Sequence, residues 1–450
     1  MRDYLENHEG LVRISKPVKL DDIGALSAQV DDPILFENIV GRPGFRLTDI
    51  HVKNRRNQAR AIGTTPADYL RSLAYRLRQP PTPFAMVEKG PAREVVLKGD
   101  EVDLSALPIP RHKEGDKYPY ITATNLVRDP ETGFYNSCNA GTTVVGRQRG
   151  LISIVTAHTN IIMQKYAARG HKRMPIAMMV GVPPAYEIMA NYSGLHMDMW
   201  GEIDMVGTIM GKPIEMMPAE TIDLLVPAQA EMIIEGYVRL DERFEVGEVT
   251  SPSKYYLPQR EWIPEFIPAA ITMREDRPIW RNHQTCPDTD HQTLPRLCHE
   301  AILYNRLTEM GLQVKDVRFP SWGGALSCII QFDYRHDGFV NDALMATMGA
   351  PWLNTKIVVA VSPDTNIEDA GAVYHAIASR CDPETDIIRV PKTRGSLYDP
   401  SARSLPEEFY PFRLSGKMGI DATIKRRQDS ADFRPAYPVN WGQVRLSDYL

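Results

Sequence analysis

Little in this sequence points toward a membrane, a nucleic acid or an oxidising compartment. No apolar run approaches the ~20 residues that span a bilayer; the stretch from Ile176 to Val182 stops at Pro183-Pro184. The opening Met1-Arg2-Asp3-Tyr4-Leu5-Glu6-Asn7 has no apolar segment behind a basic cap, so no secretory signal is expected. Positive charge is not in excess. The 52 Lys and Arg residues face 57 Asp and Glu, and the net charge of -5 offers no footprint for nucleic acid or an anionic membrane. The five cysteines (Cys138, Cys286, Cys298, Cys328, Cys381) are scattered, odd in number and without a CxxC pair, which fits a reduced, cytoplasmic setting.

The common catalytic fingerprints are missing too. There is no Walker A motif, GxGxxG, GxSxG or HExxH, so nucleotide-binding, α/β-hydrolase and zincin chemistry lose their strongest support. His283, Cys286, His291, Cys298 and His299 fall in one short window. Zinc favours a tighter ligand rhythm, so these residues read as loop histidines and core-facing cysteines.

What is present is a globular chain of 450 residues, 43% hydrophobic, long enough for about three domains. Its 35 prolines and 30 glycines cut it into short elements and argue against one long bundle. An apolar strand at Ile34-Leu35-Phe36 is closed by Gly41-Arg42-Pro43-Gly44. Short Ile- and Val-rich runs at Leu151 to Ala157, Ile176 to Val182 and Met232 to Leu240 predict strands, with a helix from Asn160 to Arg169 between them. That density of strands suits a barrel or sandwich. Beyond 294 the spacing predicts a helix from Leu294 to Met310, a buried strand from Lys356 to Val361 and a helix from Asn366 to Ser379. Ala370, Val373, Tyr374 and Ile377 are expected to face inward. Strand followed by helix points to an α/β layer.

Several stretches in fixed order resemble the UbiD family of decarboxylases. They run from Val102-Asp103-Leu104-Ser105-Ala106-Leu107-Pro108 and Tyr118-Pro119-Tyr120 through Asp129-Pro130-Glu131-Thr132-Gly133 and Gly181-Val182-Pro183-Pro184-Ala185. Gly211-Lys212-Pro213, Glu220 to Ala228 and Glu231 to Gly236 follow, then Ala376 to Arg380 and Lys417-Met418-Gly419-Ile420-Asp421. No single stretch is decisive, but the ordered set covers almost the whole chain. The resemblance implies a multidomain α+β and α/β protein in which a central split β-barrel binding flavin is flanked by N-terminal and C-terminal α/β domains. The expected boundaries are 1–100, 101–293 and 294–450, the last containing a linker helix and an oligomerisation domain.

The implied activity is reversible, non-oxidative decarboxylation of an aromatic, heteroaromatic or α,β-unsaturated acid, with CO2 as product or co-substrate. A hydroxylated or heteroaromatic acid is preferred. The implied cofactors are prenylated FMN (prFMN) supplied by a flavin prenyltransferase, Mn2+ or Mg2+, and K+; the implied assembly is a homodimer or homohexamer. Matching the family pattern, Asn136, His158 and Glu220 would hold the metal against the flavin phosphate, a mainly hard donor set. Taken alone, the three read as a turn residue, a half-buried histidine and a loop acid. Ser137, Cys138 and Asn139 beside Asn136, the loop residues Asn191, Tyr192 and Ser193, and Lys417 are the further cofactor contacts implied; Lys417 equally suits a subunit contact. The catalytic acids fall in Asp241 to Glu248. Gly247-Glu248 matches the second acid, and Glu245 or Glu242 the first, because the usual spacing lands on Arg243. A desolvated carboxyl there would have a raised pKa and donate a proton, whereas a solvated acidic turn has the same composition. One departure matters: the family's active-site arginine falls at Gly141. It opens a second reading, a prFMN-binding homologue with altered chemistry or an accessory subunit.

Overall fold

Alternation along the strands sorts the central residues between two cores. In Arg173–Val180, Met174, Ile176, Met178 and Val180 pack into one cluster while Ala177 and Met179 pack into another. In Met232–Arg239, Ile234 and Val238 join the first cluster and Ile233 the second. Successive side chains of a strand point to opposite faces, so both faces of this sheet are covered. Burying each of the Met, Ile and Val side chains contributes about 1.5–3 kcal/mol.

The computed structural model describes residues 1–154, 157–192, 200–246, 249–257, 261–333, 336, 338–350, 355–404, 413–426, 428 and 430–449. Six strands close into a barrel in the order Tyr120–Arg128, Tyr135–Gly146, Arg149–Ser153, Glu265–Met273, Met232–Arg239 and Arg173–Val180, which returns to Tyr120–Arg128. Every pairing is antiparallel. Closure removes exposed sheet edges.

Before the barrel, Val12–Ile14, Ile34–Phe36 and Arg46–Asp49 form a small sheet, and Ile279–Arg281 returns from beyond the barrel to pair in parallel with its last strand. That return brings Arg281 beside Asp49. After the barrel come the helix Leu297–Glu309 and a mixed sheet ordered Val314–Arg318, Ser327–Phe332, Ile357–Val361, Arg413–Ala422 and Ile387–Gly395, with helices Gly338–Met348 and Ala370–Arg380. The architecture is therefore a β-barrel between N-terminal and C-terminal α/β domains, as the sequence led one to expect. Two details differ. Ala370 and Tyr374 are exposed, and the buried positions of their helix are Val373 and Ala376. Met310 is exposed because the helix ends at Glu309. Among the described residues, no helix is long and apolar enough to cross a membrane.

Candidate active site

Helix Glu202–Met210 begins hard against the barrel. A Cβ on Gly201 would lie 1.8 Å from the Tyr135 carbonyl oxygen, so only glycine lets the helix start there. Asp204 closes the first turn by accepting the Gly201 N–H at 2.7 Å. The close approach delivers Glu202 to the neighbouring strand, where its Oε2 accepts the Ser137 N–H at 2.9 Å. Its Oε1 lies 3.7 Å from His158 Nδ1, on the first turn of helix Ala157–Ala168. Asn136 donates Nδ2 to Thr159 Oγ1 at 2.9 Å, which leaves its carbonyl oxygen as the acceptor on offer. Glu202 is 4% exposed, at a helix N-terminus that favours negative charge. Ser137 Oγ, on the next residue of the strand, is buried with no hydrogen-bond partner among the described residues. An amide oxygen, an imidazole and a carboxylate are thus drawn together, a donor set that fits a hard divalent cation.

Glu220 does not join them. Its backbone N–H is held by Glu235 Oε1 at 2.8 Å, and its side chain pairs with Lys98 and with Arg93 Nη1 at 3.2 Å. Those cations, Lys98 first, hold its carboxyl below the usual range. The acid that reaches the Asn136–His158 pair is Glu202, which the sequence reading did not single out.

Around the barrel mouth lies a cavity of about 210 Å³. It is lined by Tyr120, Thr122, Thr124, Asn139, Gly141, Met179, Glu187, Asn191, Arg281, His283 and His291, with Leu397 and Tyr398 from the C-terminal domain. Asn139 donates to the Glu187 carbonyl at 3.2 Å and Asn191 donates to the same oxygen at 2.8 Å, so both predicted contacts face this space. Tyr192 packs on Trp200 with ring centroids 5.1 Å apart, and Cys138 is buried with Thr159 Oγ1 3.3 Å from its sulfur. Lys417 lies elsewhere, donating to the Met348 carbonyl at 2.6 Å within the C-terminal domain. Ser193 and Glu248 lie outside the described residues. Glu242 is exposed and paired with Arg239 at 2.8 Å; Glu245 is exposed on strand Phe244–Val246, and neither lines the cavity.

Gly141 sits on the cavity wall with a physical reason for lacking a side chain. A Cβ there would fall 1.7 Å from Tyr120 Oη. The tyrosine occupies the room an arginine side chain would need.

Among the described residues, the cation that does reach the wall is Arg281. It grips Glu187 through two bonds of 2.8 and 3.0 Å, Asp49 Oδ1 at 3.0 Å and Asp290 Oδ2 at 2.8 Å. Burial pushes the Asp49 carboxyl up to about 6 and raises that of Glu187, with Arg281 pulling both back. Glu187 is set by the short helix Pro184–Met189, where Pro184 occupies a first-turn position needing no N–H partner. On this wall Glu187 is a carboxyl whose pKa burial raises, while Glu248, the best match to the family's second acid, lies outside the described residues. A charged residue ending the apolar run Ile279-Trp280-Arg281 was the sequence signal for this cluster.

His283 and His291, read as loop histidines, also face the cavity, their rings 5.6 Å apart. Burial pushes His291 down to about 4 and His283 well below the usual value, so both imidazoles are neutral. Behind them His112 meets Thr285 Oγ1 at 3.0 Å and Asn282 Oδ1 at 3.1 Å, and burial lowers its pKa to about 3. Its neutral form favours the fold in full above the unfolded value of ~6.5. That contribution drains as pH falls toward the folded value, because the unfolded chain takes up the proton first. Unfolding free energies of wild type and His112→Gln should therefore approach each other by about 1.4 kcal/mol per pH unit between about pH 6 and 4. A gap independent of pH would contradict a neutral His112.

Two family models match the chain. The 3-octaprenyl-4-hydroxybenzoate carboxy-lyase (UbiD) Rift-related domain matches residues 85–287, and the C-terminal domain of the same carboxy-lyase matches residues 292–422. A protein of Archaeoglobus fulgidus is 32% identical over 366 residues, 79% of this chain and 70% of that one. Anhydromevalonate phosphate decarboxylase of Methanosarcina mazei is 27% identical over 429 residues, 94% of this chain and 95% of that one. The UbiD-class enzyme HmfF of Pelotomaculum thermopropionicum, solved in complex with FMN, superposes with a TM-score of 0.88 at 28% identity, covering 100% of this chain and 99% of that one.

Proposed function

Because the chain belongs to the UbiD family of carboxy-lyases, we propose that it is a prFMN-dependent decarboxylase acting reversibly on a hydroxylated or heteroaromatic acid. The observation that carries this reading is the convergence of Asn136, His158 and Glu202 at the strand Tyr135–Gly146, which further along lines the cavity through Asn139, Ala140 and Gly141. HmfF, of the same class, was solved with FMN and, in an evolved dimeric form, with prFMN. When bound, the modified flavin supplies the electron sink that protein side chains lack for the pair left on carbon as CO2 departs.

The chain's own residues supply the rest. Asn136 Oδ1, an imidazole nitrogen of His158 and a Glu202 oxygen would hold Mn2+ or Mg2+, leaving positions for phosphate oxygens. The amides of Asn139 and Asn191 offer polar contacts along the cavity wall. Met179, Ala123 and Ala140 give the cavity apolar surface, and the neutral imidazoles of His283 and His291 can exchange hydrogen bonds with ring hydroxyls or heteroatoms. Among the described lining residues Arg281 is the one cation, and three carboxylates already surround it. The cavity therefore suits an acid whose far end is uncharged better than the phosphorylated acid named for the Methanosarcina relative.

Co-expression with a flavin prenyltransferase tests the reading. The purified protein should carry prFMN by absorbance and mass, and should release CO2 from hydroxylated or heteroaromatic acids while sparing phosphorylated ones. Bound cofactor without turnover on such a panel would favour an accessory subunit instead, and absence of cofactor would remove both readings.

A further inference from the structure

The turn Asp129-Pro130-Glu131-Thr132-Gly133 belongs neither to the cavity wall nor to the metal-ligand set, yet it stands directly before the strand that carries Asn136. Asp129 does two things there. Its Oδ1 accepts the backbone N–H groups of Glu131 and Thr132 at 2.8 and 3.3 Å, an Asx turn that Gly133 completes at φ +75°. Its Oδ2 accepts Lys165 Nζ at 2.5 Å, although the carboxylate is only 2% exposed. A charge-assisted bond of this kind is among the stronger ones a side chain makes. Glu131 adds contacts to Lys165 at 3.1 Å and Arg169 at 3.6 Å, and the Pro130 carbonyl accepts Arg169 Nη1 at 2.9 Å. The turn is thereby fastened to the C-terminal end of helix Ala157–Ala168.

His158 sits at the other end of that helix. Lys165 follows it by about two turns, so the two side chains leave the helix on nearly the same face. Ile162, between them on that face, is buried in the core shared with the barrel strands. Beside His158, Thr159 accepts the Asn136 amide at 2.9 Å. The hairpin joining Tyr120–Arg128 to Tyr135–Gly146 therefore grips the helix twice, through Asn136 where it starts and through Asp129 where it ends. The second grip opposes rolling of the helix about its axis. Rolling is the motion that would carry the imidazole away from Glu202, which it meets at 3.7 Å.

We propose that Asp129 is a positioning residue for the metal site: through Lys165 it fixes the helix face that presents His158 to the cation shared with Asn136 and Glu202. This role rests on the metal-and-flavin reading above and deepens it. One turn sets the spacing between two ligands, because the same residues that lead into the strand of Asn136 also hold the helix of His158.

Asp129→Asn separates the two tasks, since asparagine still accepts the turn's N–H groups but offers Lys165 no charge. In protein saturated with FMN, its Mn2+ affinity should fall about 10–100-fold, the range for residues that orient a metal ligand. The nitrogen hyperfine coupling of His158 to bound Mn2+ should weaken with it. Lys165→Met should show the same loss and add little to Asp129→Asn, whereas Lys165→Arg, which keeps the ion pair, should recover most of the affinity. A general loss of structure would lower affinity in every background. Action through His158 means that Asp129→Asn costs nothing further once His158 is replaced by alanine. Hydrogen exchange on metal-free protein gives an independent readout: amides of Ala157–Ala168 should exchange at least about tenfold faster in Asp129→Asn, while those of Met232–Arg239 keep their rates. Mn2+ affinity within about twofold of wild type in both Asp129→Asn and Lys165→Met, or an undiminished loss in the His158→Ala background, overturns the positioning role and leaves the metal anchor standing. Unchanged Mn2+ affinity in His158→Ala sinks the anchor itself and the role with it, and the exchange rates then decide whether Asp129 holds the helix at all.

Discussion

Replacing Glu202 with alanine should lower Mn2+ affinity by at least about 100-fold and leave the purified protein largely free of flavin. Loss of residues that merely orient metal ligands costs about 10–100-fold, and a direct carboxylate ligand should cost no less. Glu202 is also the group that ties helix Glu202–Met210 to the strand bearing Asn136, through the Ser137 N–H. Glu202→Gln separates the two roles, since it retains a hydrogen-bond acceptor and removes the charge. The matched control is Glu220→Ala. That glutamate is held by Lys98 and Arg93 at the protein surface, where ion pairs contribute about 0–1 kcal/mol. Flavin content should stay within about twofold of wild type in that variant. Metal titration together with the flavin-to-protein ratio reads both outcomes, and equal losses in the two variants would contradict the placement of the anchor at Glu202.

Arg281→Met should destabilise the fold by about 3–5 kcal/mol, the cost of removing one partner from a buried ionic cluster. Three carboxyls from the N-terminal sheet, the helix after the barrel strand and the loop at 290 would then face one another without a cation. The penalty should depend on pH in a defined sense. Burial raises the folded pKa of Asp49 to about 6, so the stability carried by its bound proton is present in full below the unfolded value of ~3.9 and lost as pH rises through 6. Without Arg281 the repulsion grows over the same window, and the variant should be closer to wild type at about pH 5 than at about pH 8. Adding Glu187→Gln should restore part of the loss, which a double-mutant cycle would reveal as coupling. Denaturant midpoints at unchanged slope measure all three. A loss below about 1 kcal/mol would place Arg281 among ordinary surface pairs.

The barrel was legible because its strands are short β-branched runs with alternation strong enough to send Ile176 and Ala177 to different cores. Asn136 and His158 were legible only through the ordered family pattern, since neither has a local signature of its own. Glu202 was hidden for a geometric reason: it depends on Gly201 letting a helix N-terminus approach within van der Waals distance of Tyr135, a contact that sequence spacing does not encode. Glu220 looked equally suitable in one dimension, and only the fold sends it to Lys98 and Arg93. The Arg281 cluster was harder still. Glu187 and Arg281 stand 94 residues apart, and Asp49 is 232 from the same arginine. Their meeting depends on strand Ile279–Arg281 returning to the N-terminal sheet after the chain has closed the barrel. The absent arginine at 141 was visible in the sequence, but its cause was not, because Tyr120 reaches Gly141 only through the pairing of Tyr120–Arg128 with Tyr135–Gly146.

The claim on which the functional account stands is that a metal held by Asn136, His158 and Glu202 grips the flavin through its phosphate. Electron–nuclear double resonance on protein loaded with Mn2+ and flavin measures this directly. The account predicts a phosphorus-31 hyperfine coupling to the Mn2+ signal in wild type that disappears in Glu202→Ala and persists in Glu220→Ala. Flavin bound stoichiometrically with no phosphorus coupling to Mn2+ would contradict it.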